Sequence, residues 1–379
     1  MPRSPAIQVA LILLIPCMLS TPALSEYACY SVGWRGLHRL SSATLTDPSS
    51  IFARPTRMAI TPSGTLYFVW TLCESGGAEV HRIGPELESC RDIRGPQWQW
   101  MTTGVACFGE QAWVGGWRGL LRMDSGALEA PAPTARGPEL SYIGDRSHGA
   151  SAASTSETDQ WFCEAMDVDG TGTVWALSFG DLRAVAQPAP AGAPWWCYSR
   201  VVAGQIACLC ADRQAGVWLY SHQHDDGVRL RRYLLKDNAA DPANGGIVEA
   251  RSVPGLPAVA DPCMATGPQD TVFVAGRTGD GGVLASWDGT SVTVTRVPPD
   301  LLRGCLVTTL TAGNDGEVYL ATDGAGVLTY DGTWGVHPIT ESLPTLAETG
   351  LRPVDDIIVT ADGTLYVACR NLLAVWRPD

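Results

Sequence analysis

The chain has 379 residues, of which 45% are hydrophobic and 17% charged, so it can bury a large core and is too apolar to be disordered throughout. Its formal net charge of −13 argues against nucleic acid and anionic membranes as partners, because both bind to basic surfaces. The 41 glycines and 26 prolines favour many turns over long helices.

Residues 1–25 have the composition of an export signal. The positively charged Arg3 precedes an apolar run, and the small residues Ala23 and Ser25 form a cleavage site. The run is shorter than the roughly 20 residues that span a bilayer, and no later segment is suited to spanning one. We therefore expect the mature protein, residues 26–379, to be one domain in the periplasm or outside the cell.

The 12 cysteines agree with export, because an oxidising compartment allows disulfides to form. Removal of Cys17 with the signal leaves an odd number, so at least one cysteine stays unpaired or pairs with another molecule. The spacing does not determine which cysteines pair. Cys208 and Cys210 are two residues apart and are predicted to lie on one face of a strand.

Seven stretches repeat one pattern, in which a short strand, a tight turn and a second strand with an aromatic residue follow one another. The clearest copy contains four strands, at 310–312, 318–321, 327–330 and 336–339, joined by turns rich in Asp-Gly. Four strands in about 45 residues are typical of one blade of a β-propeller. The aromatic residues that mark the repeat are Tyr67, Trp113, Trp175, Trp218, Phe273, Tyr319 and Tyr366.

The repeat predicts an all-β fold, a seven-bladed β-propeller in which neighbouring sheets bury one another's faces. The alternative, a pair of β-sandwiches, would not require one register to be held seven times. Trp113, Trp175 and Trp218 occupy the aromatic position and are predicted to be core residues. The two longest steps contain polar or Ala/Pro-rich segments at 131–160 and 237–260, which we interpret as surface inserts.

The sequence GWRGL occurs at 33–37 and again at 116–120, where it leads into the third strand of a unit. By the same pattern, residues 29–46 supply second, third and fourth strands, whereas the C-terminal unit supplies first, second and third strands. We therefore expect N- and C-terminal strands to pair and close the ring. Because six apparent strands compete for four positions, an eighth, partial blade stays open as an alternative.

The stretches DGEVYLATDGAGVLTYDG (315–332) and GEQAWVGGWRGLLRMDSG (109–126) resemble the propeller repeat of bacterial two-component regulators. The resemblance covers nearly all of residues 29–379. It implies an extracellular sensor or binding domain. Streptogramin lyases and lactonase-type propellers share this general style of repeat, so the resemblance also leaves an enzyme open.

Two segments have the residue types of metal sites. Asp167 and Asp169 are two residues apart, as are the first ligands of a calcium loop. Such a loop ends in a bidentate Glu, but Phe179 lies nearest to that position. The alternative interpretation is a plain hairpin turn. His222 and His224 share one face of a strand end, where a third ligand would complete a zinc site. The pattern requires no cofactor, with calcium and zinc as alternatives.

Four charged residues lie at or just before the starts of predicted inner strands, which line the central channel. A propeller brings such residues together, so they could form a ligand site or an acid–base pair, or simply a hydrated channel mouth. They are Arg57, Glu164, Asp355 and Asp356.

Four tryptophans lie outside the aromatic position of the repeat. Each pair follows the regular part of one unit, where exposed Trp is unfavourable unless it meets a partner. We predict that they form an apolar binding patch on one rim, with coverage of sheet edges as the alternative. They are Trp98, Trp100, Trp195 and Trp196.

Two functions from different classes remain open. One is a non-catalytic platform that binds a protein, a glycan or a small molecule, and the other is a lyase or lactonase that acts on a small molecule at the channel mouth. The inner-strand positions that match Arg57 and Asp356 are mostly small and neutral, which favours binding. They are Thr103, Ala165, Cys208, Cys263 and Thr309.

Overall fold

The computed structural model is an all-β propeller, which confirms the all-β propeller architecture predicted from the repeat. No helix among the described residues is long and apolar enough to cross a membrane. The structure describes residues 26–33, 36–40, 44–45, 56–72, 77–87, 90–92, 102–116, 119–124, 141–143, 151–152, 163–186, 196–202, 204–223, 227–236, 246–346 and 349–378.

The described residues form seven sheets of four or five strands and one short parallel pair. The chain begins with β1 (Glu26–Gly33), β2 (Gly36–Leu40) and β3 (Thr44–Leu45). The first sheet consists of β4 (Arg57–Ile60), β5 (Leu66–Leu72), β6 (Gly77–Ile83) and β7 (Cys90–Asp92). The second consists of β8 (Thr102–Phe108), β9 (Gln111–Gly116), β10 (Gly119–Asp124) and β11 (Ser141–Ile143).

The third sheet has five strands. The additional outer strand is β12, which precedes the inner strand in sequence and pairs with the fourth strand of the sheet. Its strands are β12 (Ser151–Ala152), β13 (Ala165–Val168), β14 (Val174–Ser178), β15 (Asp181–Ala186) and β16 (Trp196–Val201). The fourth sheet consists of β17 (Gln205–Ala211), β18 (Val217–Gln223), β19 (Gly227–Lys236) and β20 (Gly246–Pro254).

The remaining sheets follow the same plan, and two short helices occur in their connections. The fifth consists of β21 (Ala260–Thr266), β22 (Val272–Thr278), β23 (Gly281–Trp287) and β24 (Val292–Arg296), followed by α1 (Pro299–Leu302). The sixth consists of β25 (Val307–Ala312), β26 (Val318–Thr322), β27 (Val327–Tyr330) and β28 (Trp334–Val336), followed by α2 (Ile339–Ser342) and β29 (Thr345–Leu346). The seventh contains β30 (Asp356–Val359), β31 (Leu365–Cys369) and β32 (Leu372–Arg377).

The innermost strand of each sheet packs beside that of the next in chain order, and β30 of the seventh sheet packs against β4 of the first. The inner strands therefore line a central channel. Each aromatic residue of the repeat is buried, which confirms Trp113, Trp175 and Trp218 as core residues. In the fourth and fifth sheets, the rings of Trp218 and Trp287 lie 4.9 Å apart and fill the space between neighbouring sheets.

The N-terminal strands complete the seventh sheet. β1 pairs antiparallel with β32, with Tyr27 opposite Trp376, and β2 pairs with β1. The predicted second, third and fourth strands of residues 29–46 are therefore wrong: β1 occupies the fourth position and β2 a fifth. β3 instead forms a parallel pair with β29. Strand position depends on distant pairing, which the local resemblance between the two GWRGL copies does not encode.

Two further boundaries differ from those predicted. The fourth strand of the clearest repeat was predicted at 336–339. In the structure this strand is β28, which ends at Val336, and α2 begins at Ile339. In the second predicted insert, 237–260, residues 246–254 form β20, which pairs with β19 across most of its length. Fourth strands are outermost and half-exposed, so their hydrophobic pattern is weak.

Candidate functional site

The ring has two sides that differ in their connections. Every inner strand runs from the side that we call the upper side to the lower side, where it turns into the second strand. The hairpins between second and third strands and the connections between sheets therefore lie on the upper side. Arg57, Glu164, Asp355 and Asp356, at or just before the starts of inner strands, lie on the upper side.

On the lower side, the segment interpreted as a calcium loop is a hairpin turn. Asp169 is buried, and its carboxylate accepts hydrogen bonds from the main chain and hydroxyl of Thr171 and from the indole Nε1 of Trp175 at 2.9 Å. It also accepts the amide of Gly216 in the fourth sheet, at 2.7 Å. Both carboxylate oxygens of Asp169 therefore accept hydrogen bonds from the protein itself. Among the described residues, no group of three or more His, Cys, Asp or Glu side chains could hold a metal ion.

Arg213 bridges the lower side of the ring. It follows the inner strand of the fourth sheet, and its guanidinium donates to Oδ1 of Asn314 at 3.0 Å and to the carbonyl of Ala312 at 3.2 Å. Both acceptors belong to the sixth sheet, so the side chain passes the fifth. The neighbouring Gln214 donates to Asp270 of the fifth sheet at 2.9 Å. These contacts tie the lower side together across the sheets, and they leave the upper side as the better candidate for a ligand.

The structure brings three of the four predicted upper-side charges together, where the seventh sheet meets the first. The guanidinium of Arg57 donates to the carbonyl of Asp355 at 3.1 Å, and the amide of Met58 donates to the Asp356 carboxylate at 2.8 Å. The Asp355 carboxylate accepts the amide of Arg370 at 2.9 Å and contacts its guanidinium at 3.2 Å. Glu164 is not part of this cluster; it is exposed on the third sheet.

The two carboxylates of this cluster are held by the protein itself. Burial raises the pKa of Asp355, and the positive charge of Arg370 opposes that increase. Burial raises the pKa of Asp356 to about 6, opposed by Arg57 and by the amide of Met58. Since the carboxylate oxygens accept backbone amides of both sheets, the cluster joins the first and seventh sheets at their inner edge.

The predicted small, neutral lining is largely present, with one residue corrected. The β8–β9 hairpin is one residue shorter than the corresponding hairpins, so Gly104, not Thr103, lies at the position equivalent to Ala165, Cys208, Cys263 and Thr309. Counting ten residues back from the aromatic position, as in the other sheets, gives Thr103, whereas the shorter hairpin reduces this spacing to nine.

Burial disfavours the thiolate form of two cysteines at the channel, Cys208 and Cys263. Burial raises the pKa of Cys263 to about 12, and Arg57 opposes this increase from the first sheet. Burial also raises the pKa of Cys208 well above its usual value. Neither thiol is bridged in the structure, so disulfide pairing stays a prediction. Such thiols are weak nucleophiles, because the thiolate is the reactive form.

A cavity of about 790 Å³ opens on the upper side between the fourth and fifth sheets. His222 and Arg277 provide its basic groups, beside Val259, Ala260 and Thr278. The segment that forms one wall is fixed, because the hydroxyl of Tyr220 donates to the carbonyl of Pro257 at 2.7 Å and accepts the amide of Val259 at 3.0 Å. A rigid wall with two basic groups suits a ligand that carries acceptor oxygens.

Sequence analysis did not identify Arg277 as a functional residue, because Arg277 lies in a Gly-rich hairpin that has no local signature of binding. Its role depends on the neighbouring sheet, which brings His222 to the same cavity. Among the predicted metal ligands, His222 lies at the end of β18, and His224 lies outside the described residues.

Three of the four predicted tryptophans, Trp98, Trp100 and Trp195, lie outside the described residues. The segment with Trp98 and Trp100 connects β7 with β8, and both of its ends lie on the upper side. Trp196 begins β16 opposite Ala186, on the lower side.

No family model and no curated relative matches the chain. The extracellular domain of the hybrid two component system BT4673 from B. thetaiotaomicron is similar in structure, with 11% identity, a TM-score of 0.52 and coverage of 88% of this chain, which spans 39% of that one. YCF48, solved bound to a D1 peptide, has 12% identity, a TM-score of 0.55 and coverage of 94% of this chain and 98% of its own. These similarities agree, at the level of the fold, with the resemblance to two-component-regulator propellers.

Proposed function

We propose that this protein is an exported, non-catalytic binding platform that takes its ligand or partner on the upper side of the ring. The observation that carries this proposal is the cavity with His222 and Arg277 on a rigid wall, beside a channel lined by small, neutral residues. The lower side, in contrast, is tied together by Arg213. The segment with Trp98 and Trp100 stays part of the proposed surface.

The similar structures support a binding role of this kind. The BT4673 structure is the extracellular domain of a putative hybrid two component system, and YCF48 was solved with a bound peptide. By analogy we propose that a protein segment is among the partners, with a glycan or small molecule as alternatives. We also propose that the seven sheets are the blades of one ring, and that pairing between β1 and β32 closes it.

The alternative, an enzyme of the lyase or lactonase type, requires an acid or base that can exchange protons with a substrate. Asp355 and Asp356 are the strongest candidates for that role, but both carboxylates accept hydrogen bonds from backbone amides. We therefore favour binding over catalysis.

A panel of acidic metabolites, neutral oligosaccharides and peptides, screened by thermal shift, tests the proposed cavity. A ligand at 100 times its Kd should stabilise the protein by about 2.7 kcal/mol. Arg277→Gln should weaken binding of the hit by roughly tenfold or more, the cost of a charged hydrogen bond. Arg296→Gln is the matched control, because Arg296 is exposed and ion-paired with Asp280 outside the cavity.

The screen also separates the two functions. Mass spectrometry of each hit after incubation should recover it unchanged; a converted hit would establish the enzyme alternative. If Arg277→Gln and Arg296→Gln weaken binding of the hit equally, the cavity is not the binding site.

Export is tested on secreted material. We expect N-terminal sequencing to find Glu26 as the first residue, because Ala23 and Ser25 precede it as small residues of a cleavage site. Recovery of the protein with Met1 intact would contradict export through this signal.

A further inference from the structure

The guanidinium of Arg277 is free to bind a ligand. Arg277 is exposed at the upper end of β22, and its side chain makes no hydrogen bond, ion pair or ring contact with any residue that the structure describes. Nearby arginines of the same two sheets are engaged: Arg232 forms an ion pair with Asp212 at 2.6 Å, and Arg251 lies 4.5 Å above the ring of Trp287. The N–H donors of Arg277 therefore stay available at the cavity.

The second basic group of the cavity, His222, is half-buried and also lacks a hydrogen-bond partner among the described residues. Its imidazole meets the ring of Tyr220 edge-on, with the ring centroids 5.4 Å apart. No Asp or Glu is among the described residues that line the cavity. Two carboxylates directly follow lining residues in sequence, Asp261 and Asp280, and Asp280 is ion-paired with Arg296 at 3.0 Å. The lining itself therefore carries positive charge without an acidic partner.

One side chain, Tyr220, holds both the wall of the cavity and the imidazole. Its hydroxyl donates to the carbonyl of Pro257 and accepts the amide of Val259, while its ring contacts His222. Burial raises the pKa of Tyr220 to about 12, so the hydroxyl stays protonated and remains a donor at neutral pH. The wall and His222 are therefore preorganised, which reduces the conformational entropy lost on binding.

The size and the wall of the cavity indicate an organic ligand. Its volume of about 790 Å³ is in the range of pockets that hold drug-sized molecules, and it far exceeds what an inorganic anion fills. Ala258, Val259 and Ala260 supply apolar surface next to the two basic groups. A ligand with a charged head and an apolar body matches both parts of this lining.

We propose that this cavity binds an organic anion in which a carboxylate or phosphate head is joined to an apolar body. Arg277 and His222 donate to the oxygens of the head, for which a guanidinium supplies two parallel N–H groups. The body lies against Val259 and Ala260, and Tyr220 is a positioning residue that holds this wall. The inference rests on the proposed function, because it names the ligand class of the same cavity and separates that class from neutral glycans and neutral peptides.

Calorimetric titration of the mature protein with matched ligand pairs tests the charge of the head. Octanoate and indole acetate are compared with octanamide and indole acetamide, which keep the body but lack the charge. We expect each acid to bind at least about tenfold more tightly than its amide, the usual effect of a charged hydrogen bond. Phenyl phosphate replaces the carboxylate in a second arm, and the tighter arm identifies the head. Inorganic phosphate, which lacks the body, should bind at least about tenfold more weakly than phenyl phosphate.

Two variants assign the charge and the wall separately. Arg277→Gln should reduce the preference for the anion to roughly threefold or less, whereas the control Arg296→Gln should leave it unchanged. Tyr220→Phe keeps the ring and removes both hydrogen bonds to the wall, so it should weaken anion and amide equally and leave their ratio as in the wild type. Tyr233→Phe is its matched control, because it removes a hydroxyl that contacts Glu249 at 3.3 Å, outside the cavity.

The inference fails if neither the acids nor phenyl phosphate bind more tightly than the amides, or if Arg277→Gln keeps the full preference for the anion. Binding by Tyr220→Phe that equals that of Tyr233→Phe would remove the positioning role of Tyr220. A neutral ligand that loses its affinity in Arg277→Gln would leave the proposed function standing and remove only the anion class. If no anion, neutral glycan or peptide depends on Arg277, the proposed function and this inference fail together.

Discussion

Replacing Trp175 by alanine is expected to lower the free energy of unfolding by about 3–5 kcal/mol, the usual cost of deleting a buried Trp side chain. The ring is fully buried between the third and fourth sheets, packed in one cluster with Tyr198, Leu219 and Tyr233. Its Nε1 also donates to Asp169 at 2.9 Å, so the substitution leaves a buried carboxylate with one donor fewer. Urea denaturation of the purified mature protein measures the loss.

Three variants make this prediction specific. Trp175→Phe keeps a ring but removes the donor, so it should cost less than Trp175→Ala. Trp98→Ala and Trp195→Ala, outside the aromatic position of the repeat, should leave the Tm nearly unchanged. If these last two lower the Tm as much as Trp175→Ala, they are core residues, and the Trp98 segment has no place in the proposed binding surface.

The parts of the fold that the sequence predicted are those with local causes. The third strand of the clearest repeat, 327–330, is β27 with the same bounds. The Asp-Gly turn before β26 is also observed, with Gly316 at a φ of 91° that an Asp-Gly turn accommodates. Turn residues and an aromatic position act within about ten residues, so they can be recognised without knowledge of the rest of the chain.

The features that the sequence did not predict are non-local. The place of β1 as the fourth strand of the seventh sheet depends on its pairing with β32. The cavity depends on two sheets, since His222 and Arg277 come from β18 and β22. Phe179 directly precedes Gly180 at a hairpin tip, and its φ of 48° and 75% exposure distinguish it from the buried aromatic residues of the repeat.

Deletion of residues 26–47 is expected to open the ring and to destabilise the protein strongly. The deletion removes β1, which pairs with β32 from Glu26 opposite Arg377 to Ser31 opposite Leu372. At about 1 kcal/mol for each of roughly five lost ladder hydrogen bonds, the cost is on the order of 5 kcal/mol, and the Tm should fall by about 10 °C. The exposed edge of β32 should also cause concentration-dependent association, measured by light scattering.

The loss should follow from the missing strand, not from a changed chain start, and a circular permutant separates these causes. Because Glu26 lies opposite Arg377, a short Gly-rich linker from Asp379 to Glu26 would join β32 and β1 as a hairpin, with new termini placed between residues 46 and 55. This permutant should melt close to the wild type and stay monomeric. Both variants retain Asp356 and Met58, whose contact joins the seventh and first sheets at the inner edge, so the variants differ in the presence of β1 to β3. A truncated protein that melts at the wild-type temperature without associating would show that β1 does not close the ring.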